Sequence, residues 1–381
     1  MNEDEMVVTP WEVKGKVDYD RLIKEFGTER ITPELKERME KIAGDLHIML
    51  KRDLFFSHRD LGWILDEYEK RNKFVLYTGR GPSGHTHIGH LVPWMFTKWM
   101  QDKFQTRLYF QLTTDEKAFA DVQLSIDDVK HFAYENTLDL LALGFEPEDT
   151  YIIEDIGHID LLYEVAVDVA KRVTFSTVKA TFGFTNSSNI GLVWHPAMQA
   201  VPAFIHSWVY QTKTPCIIPC AIDQDPFWRV TRDVAERLGY YKPASIQCTF
   251  VPGLKGQDGK MSASEPMSAI FTTDTPKLAK KKVMAAFTGG RATVEEQRKL
   301  GANPDICSVF KYYLFIFVPD DKELAKIEQG CRSGELLCGE CKQILAPLML
   351  EFLEKHQATR EEVKDRVHEY SAARLRDEMK R

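Results

Sequence analysis

The sequence predicts an α/β fold: a doubly wound parallel sheet of the Rossmann-like nucleotide-binding type, followed by a C-terminal all-α helical domain. Two observations support this prediction. Between residues 74 and 251, short apolar runs alternate with segments of helical period, which is typical of parallel strands joined by helices. Beyond about residue 273 the strand patterns cease, and helical patterns continue to the end of the chain.

Local signals in the sequence support the predicted elements. The first strand ends at Thr78-Gly79, and Thr275-Pro276 marks a helix start with proline at the first helical position. Residues from about 30 to 72 have a helical pattern. The predicted strands are 74–78, 107–113, 151–155, 215–222 and 244–251, and the predicted helices are 87–104, 126–143, 158–172 and 226–239.

These patterns divide the chain of 381 residues into three predicted regions. An N-terminal extension at 1–56 packs on a Rossmann-like domain at 57–272, and a helical domain occupies 273–381. In a sheet of this class, ligands bind at the carboxyl edge of the strands. We therefore expect the functional site at that edge.

The composition is that of an ordinary globular protein, with 44% hydrophobic and 28% charged residues. A formal net charge of −7 argues against a generally basic nucleic-acid binder, although it leaves room for a local basic face. No signal-peptide pattern and no apolar run of transmembrane length are visible, and the seven cysteines are scattered. We therefore expect a cytoplasmic protein without a membrane partner.

The spacing of three cysteines near the C-terminus raises the question of a metal. Cys331 and the segment Cys338-Gly-Glu-Cys341 hint at zinc. No fourth ligand follows them at a suitable spacing, and the segment has a helical pattern. The sequence therefore predicts no structural metal.

Residues 77–90 combine a strand end, a glycine turn and the start of a helix that carries two histidines. His87 and His90 are three residues apart and share one helix face. The unpaired N–H groups of a helix start favour a bound phosphate, and two imidazoles can bond its oxygens as charge develops. Gly89 leaves room for a base or sugar against the backbone. The segment therefore predicts a nucleoside triphosphate site.

Two other interpretations of these histidines exist. They could cap the helix or line a satisfied interior. His85, His87 and His90 could also form a metal site, but no carboxylate stands at ligand spacing on that helix. In addition, His85 and His87 would face different directions.

A second segment, Lys260-Met261-Ser262-Ala263-Ser264, follows a glycine-bearing loop. A lysine and hydroxyl groups on a flexible loop can close over phosphates as a movable clamp. Alone, such a loop is usually only solvated. Its occurrence after the histidine segment, in this order, is far more specific than either segment by itself.

Together, the two segments resemble the His-Ile-Gly-His and Lys-Met-Ser-Lys-Ser signatures of class I aminoacyl-tRNA synthetases. The wider match resembles the tryptophanyl-tRNA synthetases, in their eukaryotic and archaeal form, over roughly residues 8–375. The stretches that carry this resemblance are 77–83, 111–117, 181–185, 196–200, 217–226, 231–235, 260–264 and 287–291.

The resemblance implies a ligase that activates L-tryptophan with ATP and Mg²⁺, and then transfers it to the terminal ribose of tRNA(Trp). Ala263 replaces the second lysine of the class signature, and Mg²⁺ or Lys117 could supply the lost charge. The catalytic residues that it implies are His87, His90, Lys260, Lys117 and Arg80. The ATP-binding residues that it implies are Gly79, Arg80, Gly81, His87, Gly89, His90, Asp223, Lys260, Met261 and Ser262.

Tryptophan offers a broad apolar ring and one N–H donor, so its pocket needs a hydrogen-bond acceptor. The resemblance implies that Tyr77, Gln111 and Glu116 recognise the indole N–H. It also implies that Gln199 and Gln224 lie near the ammonium and carboxylate groups of the substrate.

The alternative function is a tyrosine–tRNA ligase, which has the same fold. Those enzymes carry an aspartate for the phenol three residues after the equivalent of Gln199, where this sequence has Pro202. A third interpretation is a non-catalytic binding or signalling protein. The presence of both histidines together with Lys260 and Asp223 argues against it.

The resemblance also implies a homodimer whose helical domain binds the anticodon of the tRNA. Lys277 and the lysines at 280–282 form a local basic face on an acidic chain, although a solvated helix face is the simpler interpretation. The segment Gly289-Gly290-Arg291 matches a family segment close to the anticodon. The predicted tRNA-binding residues are Lys280, Lys281, Lys282 and Arg291.

Overall fold

The structure is a computed structural model that describes residues 6–15, 17–256, 261 and 265–380. The chain forms two compact units. The sheet unit contains Tyr19–Gly84, Pro93–Thr249 and the segment from Val363 onward. The helical unit contains His85–Val92, Phe250–Glu362 and the described residues before Tyr19. This division differs from the predicted regions. Residues from Tyr19 to 56 belong to the sheet unit, the helical unit begins again at Phe250, and the segment from Val363 onward returns to the sheet unit.

The strands form a hairpin in the helical unit and one seven-stranded sheet in the sheet unit. Their bounds are β1 Val7–Val8, β2 Val13–Lys14, β3 Glu29–Arg30, β4 Phe55–Arg59, β5 Val75–Arg80, β6 Leu108–Leu112, β7 Thr150–Glu154, β8 Cys216–Ala221 and β9 Ala244–Cys248. The sheet has the order β3-β4-β9-β8-β5-β6-β7. Strands β9, β8, β5, β6 and β7 are parallel, whereas β3 and β4 extend one edge in antiparallel pairing. The predicted parallel α/β fold is confirmed.

Helices follow the strands in the predicted alternation, and in the described residues no strand follows β9. Thr275 caps the first helix after the sheet by accepting a hydrogen bond from the Leu278 backbone. The helix bounds are α1 Tyr19–Phe26, α2 Pro33–Ala43, α3 Ile48–Lys51, α4 Leu61–Glu69, α5 Ile88–Phe104, α6 Thr114–Ala120, α7 Ile126–Leu141, α8 Ile159–Ala170, α9 Phe175–Phe182, α10 Ile190–Gln199, α11 Pro202–Tyr210, α12 Asp225–Ala235, α13 Pro276–Ala285, α14 Val294–Leu300, α15 Ser308–Tyr312, α16 Asp321–Ser333, α17 Cys338–Val363 and α18 Leu375–Glu378.

The parallel strands are buried except at Gly79, Glu154 and Ala221, which are half-buried. All five residues of β6 are buried, and so are all five residues of β9. A strand buried on both faces lacks the alternation of a half-exposed strand, which explains the sequence pattern. Helix α4 packs against β8 and β9, and α11 packs against β5, β6 and β8.

One predicted element is wrong. Residues 55–59 form β4, although the pattern from about 30 to 72 was interpreted as helical. The apolar run that precedes Ser57 is too short for its periodicity to separate helix from strand. Pairing with β9 decides the outcome, and the Ser57 hydroxyl donates to the buried Gln247 Oε1 at 2.9 Å.

The parallel register brings the ends of β5 and β6 together at the carboxyl edge. Gly79 lies opposite Gln111 on the neighbouring strand. A Cβ atom at Gly79 would lie 2.4 Å from the Gln111 carbonyl oxygen, so only glycine fits this position. The edge therefore holds the Gln111 backbone close to the strand that carries Tyr77.

The C-terminal segment covers the edge strand β7. Ser371 forms a parallel bridge with Ile152, and the Tyr370 hydroxyl donates to the Phe145 carbonyl at 2.8 Å. An exposed strand edge can pair with other chains, and this segment protects it. In the described part of the chain, no helix combines the length and apolar character that crossing a bilayer requires.

Candidate active site

A buried hydrogen-bonded group lies in the sheet unit where β5, β6 and α10 meet. The Tyr77 hydroxyl lies 2.5 Å from Gln111 Oε1 and 2.9 Å from the Gln199 carbonyl oxygen, and either can accept its proton. The Gln199 side chain donates from Nε2 to the Tyr77 oxygen at 2.9 Å. The structure therefore brings together three of the five residues predicted to bind tryptophan.

Two further side chains fix the orientation of these amides. His195 Nε2 lies 3.0 Å from Gln199 Oε1. Because an amide oxygen only accepts, the imidazole must donate here. On the other side, Gln111 Nε2 donates to Asp155 Oδ1 at 2.8 Å, which turns Gln111 Oε1 toward Tyr77.

Opposite charges account for the buried histidine. His195 Nδ1 lies 3.3 Å from the Asp115 carboxylate, and His195 is only 1% exposed. Burial opposes a charged ring, but Asp115 outweighs it and raises the pKa of His195. Burial likewise opposes ionisation of Asp115, but His195 lowers the pKa of that carboxyl. We infer a buried imidazolium that donates to Asp115 and Gln199 at once.

Asp155 lies beside Asp115, but the pKa of its carboxyl shifts in the opposite direction. Burial, followed by the Asp115 charge, raises the pKa of Asp155 well above its usual range. Two adjacent buried carboxyl groups cannot both ionise easily, so one of them keeps a proton. Ligand atoms of Asp115, Asp155 and His195 lie within 4.8 Å of one another. The raised pKa values of Asp155 and His195 both favour the protonated forms, which lowers the negative charge of this group.

Glu116 contacts a lysine at the start of α6. It accepts from the Thr113 hydroxyl at 2.8 Å and from Lys117 Nζ at 2.9 Å. Burial opposes its ionisation, but Lys117 and then His195 lower the pKa of Glu116. A Cβ atom at Gly81 would lie 1.9 Å from Lys117 Cε, so the lysine stem crosses this glycine.

Arg80 ends β5 and is buried. It donates to the Gly84 carbonyl at 3.1 Å, and the Asn136 amide donates to the same oxygen at 3.1 Å. Burial lowers the pKa of Arg80 to about 10. In this structure, Arg80 therefore braces the turn after β5.

The end of β8 carries the predicted ribose-binding acid. Asp223 is buried in the short helical turn Ile222–Gln224, and Gln224 is half-buried at the start of α12. Asp225 forms a two-pronged ion pair with Arg59, with N···O distances of 2.7 and 2.8 Å. This ion pair anchors the segment that follows β8 to the end of β4.

In the helical unit, the two predicted phosphate-binding histidines stand side by side. Their rings stack with centroids 3.5 Å apart, which confirms that His87 and His90 share one face. The segment is anchored because the Ile88 backbone donates to Ile270 and the Thr272 backbone donates to Thr86. The predicted helix begins at Ile88, one residue after His87.

The predicted mobile loop is described only in part. Met261 is buried, and its sulfur accepts a hydrogen bond from the Tyr312 hydroxyl at 3.8 Å. A Cβ atom at Gly89 would lie 3.3 Å from this sulfur. Lys260, Ser262 and Ala263 lie outside the described residues.

The basic face on α13 differs from the prediction. Lys280 and Lys281 are exposed. Lys282, in contrast, is 2% exposed, and its Nζ forms an ion pair with Asp274 Oδ2 at 2.6 Å. Lys282 therefore does not belong to the exposed basic face. Arg291 is exposed, although its Nε also donates to the Gly301 carbonyl at 3.1 Å.

His195, Asp115 and Asp155 were not among the predicted site residues. Asp115 stands next to Glu116, and Asp155 directly follows β7, where a polar residue at a strand end is a signal for a site. His195 is four residues before Gln199 on α10, a spacing that places the two side chains on one face. These signals were present and could have indicated the group.

Comparison with known proteins defines the class. The family described as "tRNA synthetases class I (W and Y)" matches residues 69–354, and the chain belongs to this family. The chain is 50% identical to the tryptophan–tRNA ligase of Saccharolobus solfataricus over 96% of this chain and 95% of the relative. It is 51% identical to that of Pyrobaculum arsenaticum, over 97% and 98% of the two chains.

Solved structures agree with this assignment. The tryptophanyl-tRNA synthetase of Plasmodium falciparum is similar with a TM-score of 0.87 and 35% identity, covering 93% of this chain and 97% of that one. The enzyme of Aeropyrum pernix has a TM-score of 0.85 and 32% identity, covering 93% and 96%. The similarity thus extends over both compact units.

Proposed function

We propose that this chain is a tryptophan–tRNA ligase. It activates L-tryptophan with ATP to give tryptophanyl-adenylate and pyrophosphate, and then transfers tryptophan to the 3′-terminal ribose of tRNA(Trp). The observation that carries the choice of amino acid is the buried pair of acceptors, Tyr77 and Gln111, held at the carboxyl edge of the sheet. The relatives named as tryptophan–tRNA ligases support it, and Pro202 removes the acceptor that a tyrosine enzyme needs.

In the proposed pocket, the oriented side-chain amide of Gln111 recognises the indole N–H. Gln111 Oε1 keeps a second lone pair after accepting from Tyr77, and that lone pair can accept from the indole. Gln199 and Gln224 would bind the ammonium and carboxylate groups. Glu116 would contribute an ionised carboxylate next to Gln199 and Gln224. Phenylalanine has no indole N–H, so it would leave the second lone pair of Gln111 Oε1 without a donor. This missing hydrogen bond is the basis on which the pocket would reject phenylalanine.

Adenylation requires no covalent intermediate on the enzyme. The tryptophan carboxylate attacks the α-phosphorus of ATP in line, and pyrophosphate leaves with the electron pair of the broken P–O bond. We propose that His87 and His90 bond phosphate oxygens, and that Lys260 and Ser262 close over the departing pyrophosphate. Mg²⁺ that enters with ATP would offset phosphate charge, and Lys117 would add to it.

The remaining assignments are also proposals. Gly79, Gly81 and Gly89 would let the nucleotide approach the backbone, Asp223 would accept from ribose hydroxyls, and Met261 would support the adenine end. Arg80 would act through the turn that it braces. We propose a cytoplasmic homodimer in which the helical unit receives the anticodon.

Pyrophosphate exchange tests the proposed function. Exchange between ATP and labelled pyrophosphate should require tryptophan and be negligible with tyrosine, and tRNA(Trp) should then accept the activated amino acid. Exchange that is equal with tyrosine, or absent with both amino acids, would contradict the proposal.

The buried imidazolium predicts a pH dependence. Below its raised pKa, His195 carries a proton on each ring nitrogen and donates hydrogen bonds to both Asp115 and Gln199. As the pH rises through that pKa, one proton is lost, and the ring can serve only one of them. Glu116 and Asp155 also face this group, and Lys117 lies behind Glu116. KM for tryptophan should therefore rise with pH.

His195→Phe tests this dependence because it keeps an aromatic ring but removes both donors. KM for tryptophan should rise by about 10-fold because the bond that orients the Gln199 amide is lost, and its pH dependence should flatten. Steady-state exchange across neutral to alkaline pH measures both. An unchanged pH profile in the variant would show that another group titrates.

The exposed lysines of α13 predict a tRNA effect. Lys280→Ala with Lys281→Ala should weaken tRNA binding by about 10-fold at low salt, because two phosphate contacts are lost. Tryptophan-dependent exchange needs no tRNA and should not change. Lys282→Ala is the matched control: it should lower thermal stability by leaving Asp274 buried and unpaired. Equal losses of both activities in the double variant would exclude a tRNA-specific role.

A further inference from the structure

A half-buried arginine joins helix α1 to the segment that follows β8, within the sheet unit. Arg59 ends β4, and its guanidinium donates from Nε and Nη2 to the two carboxylate oxygens of Asp225 at 2.7 and 2.8 Å. The same group donates from Nη2 to the Phe26 carbonyl, and from Nη1 to the Gly27 carbonyl at 3.0 Å. One side chain therefore bonds two segments that are far apart in the sequence.

The carbonyls that Arg59 contacts lie at the C-terminal end of α1. The last carbonyls of a helix lack partners within the helix and form the negative end of its dipole, so a guanidinium suits them. Gly27 has a φ of +67°, and its backbone N–H closes the helix by donating to the Ile23 carbonyl at 2.9 Å. Leu22 is the one buried residue of α1, whose residues are all described. The bonds from Arg59 therefore contribute much of the docking of this helix.

The carboxylate that Arg59 contacts lies beside the proposed substrate ligands. Asp225 is the first residue of α12 and is fully buried. It directly follows Gln224, proposed above to bind the amino-acid end of tryptophan, and it is two residues from Asp223, proposed to bind ribose. Removal of one partner of a buried, hydrogen-bonded ion pair leaves an uncompensated charge. The placement of both proposed ligands thus depends on Arg59.

The next turn of α12 has a separate attachment. The ring of Trp228 packs edge-to-face against Tyr77, with ring centroids 5.4 Å apart, and its N–H donates to Cys220 Sγ at 3.2 Å. Tyr77 belongs to the pocket proposed for the indole ring of the substrate. Loss of the Arg59 bonds should therefore displace the first turn of α12 and leave the indole pocket in place.

We propose that Arg59 is a positioning residue for tryptophan activation, which holds Gln224 and Asp223 in place from the C-terminal end of α1. Its kinetic consequences rest on the proposed function, whereas the docking of α1 by Arg59 does not. Coupling between two sites is reciprocal. If α1 positions the amino-acid ligands through Arg59, then bound tryptophan should in turn stabilise α1.

Arg59→Lys keeps the charge but loses the planar fork that bonds two carboxylate oxygens and two carbonyls at once. kcat/KM for tryptophan in pyrophosphate exchange should fall by on the order of 10²-fold, the loss expected when a binding group is misplaced by roughly 1 Å. Arg229→Lys is the matched control, since Arg229 Nε lies 3.6 Å from the same carboxylate and its side chain is 40% exposed. The control should stay within about 3-fold of the parent, as for a partly exposed ion pair.

A competitor separates displacement of the ligands from a general loss of structure. 3-Methylindole carries the indole ring but neither the ammonium nor the carboxylate group, so it probes the indole pocket alone. Its inhibition constant should be unchanged in Arg59→Lys. Asp225→Asn gives a second variant that keeps the shape of the acid and the bonds from Arg59 to α1. In the double variant, the loss of kcat/KM should not exceed the larger single loss, because both residues act through one contact.

Hydrogen exchange measures the docking of α1 without kinetics. The backbone amides of residues 19–28 should exchange faster in ligand-free Arg59→Lys than in the ligand-free parent. Saturating tryptophan should slow their exchange in the parent, and this protection should be lost in Arg59→Lys. A direct contact between tryptophan and α1 would instead keep the protection in the variant.

Four outcomes would overturn the positioning role. They are equal kcat/KM in the two lysine variants, a weaker 3-methylindole in Arg59→Lys, single losses that multiply in the double variant, and protection of α1 by tryptophan that persists in Arg59→Lys. A parent enzyme without tryptophan-dependent exchange would overturn the proposed function instead. The ligand-free hydrogen exchange would then still decide whether Arg59 docks α1.

Discussion

Replacing Gln111 with leucine should lower kcat/KM for tryptophan in pyrophosphate exchange by on the order of 10³-fold, as expected when two or more buried polar groups each lose about 1–3 kcal/mol. The substitution removes the acceptor that we propose for the indole N–H. It also leaves the Tyr77 hydroxyl and Asp155 without the partners they have at 2.5 and 2.8 Å. Several buried polar groups thus lose hydrogen bonds together.

A substrate analogue separates recognition from misfolding. Tryptophan methylated at the indole nitrogen lacks the N–H donor, so the parent enzyme should discriminate strongly against it. The Gln111→Leu variant should have lost most of this discrimination, because its pocket no longer offers the acceptor. If the variant still prefers tryptophan over the methylated analogue as strongly as the parent, Gln111 does not recognise the indole N–H.

The sequence predicted the parallel sheet because short, mostly apolar runs alternate with segments of helical period. It failed at β4, where Phe55–Arg59 is short and its pairing partner β9 lies far along the chain. Helical period could have revealed the burial of Lys282. Ala279, Lys282, Val283 and Ala286 recur at helical spacing and are all buried. Lys282 was assigned to the exposed basic face because the prediction grouped neighbouring lysines and ignored the helix face on which each one lies.

The site was predicted unevenly for a physical reason. The residues proposed to touch the substrate lie in motifs, and Tyr77, Gln111 and Gln199 come together as expected. Residues that orient them do not, since His195 and Asp115 are separated by 80 positions. The direction of each hydrogen bond becomes visible only when donors and acceptors can be counted in three dimensions.

Asp155→Leu should raise KM for tryptophan by on the order of 10²-fold, because it removes the acceptor that orients the buried amide. Asp155 Oδ1 accepts from Gln111 Nε2, and this bond turns Gln111 Oε1 toward Tyr77. Without it, the amide can rotate and present a donor to the indole N–H. At saturating tryptophan, kcat should change little, since the lost contact is made equally before and during reaction.

Asp155→Asn is the decisive control. Burial and the Asp115 charge raise the pKa of Asp155 well above its usual range, which favours the neutral carboxyl. Asparagine has the same shape, offers an oxygen to Gln111 and can donate an N–H toward Asp115. KM should therefore stay within about 3-fold of the parent, well under the effect of leaving a buried group unpaired. If asparagine is as damaging as leucine while both variants unfold at the parent temperature, the pocket requires an ionised Asp155. The neutral acid would then have to be Asp115, and the proton on His195 Nδ1 would lose its charged partner.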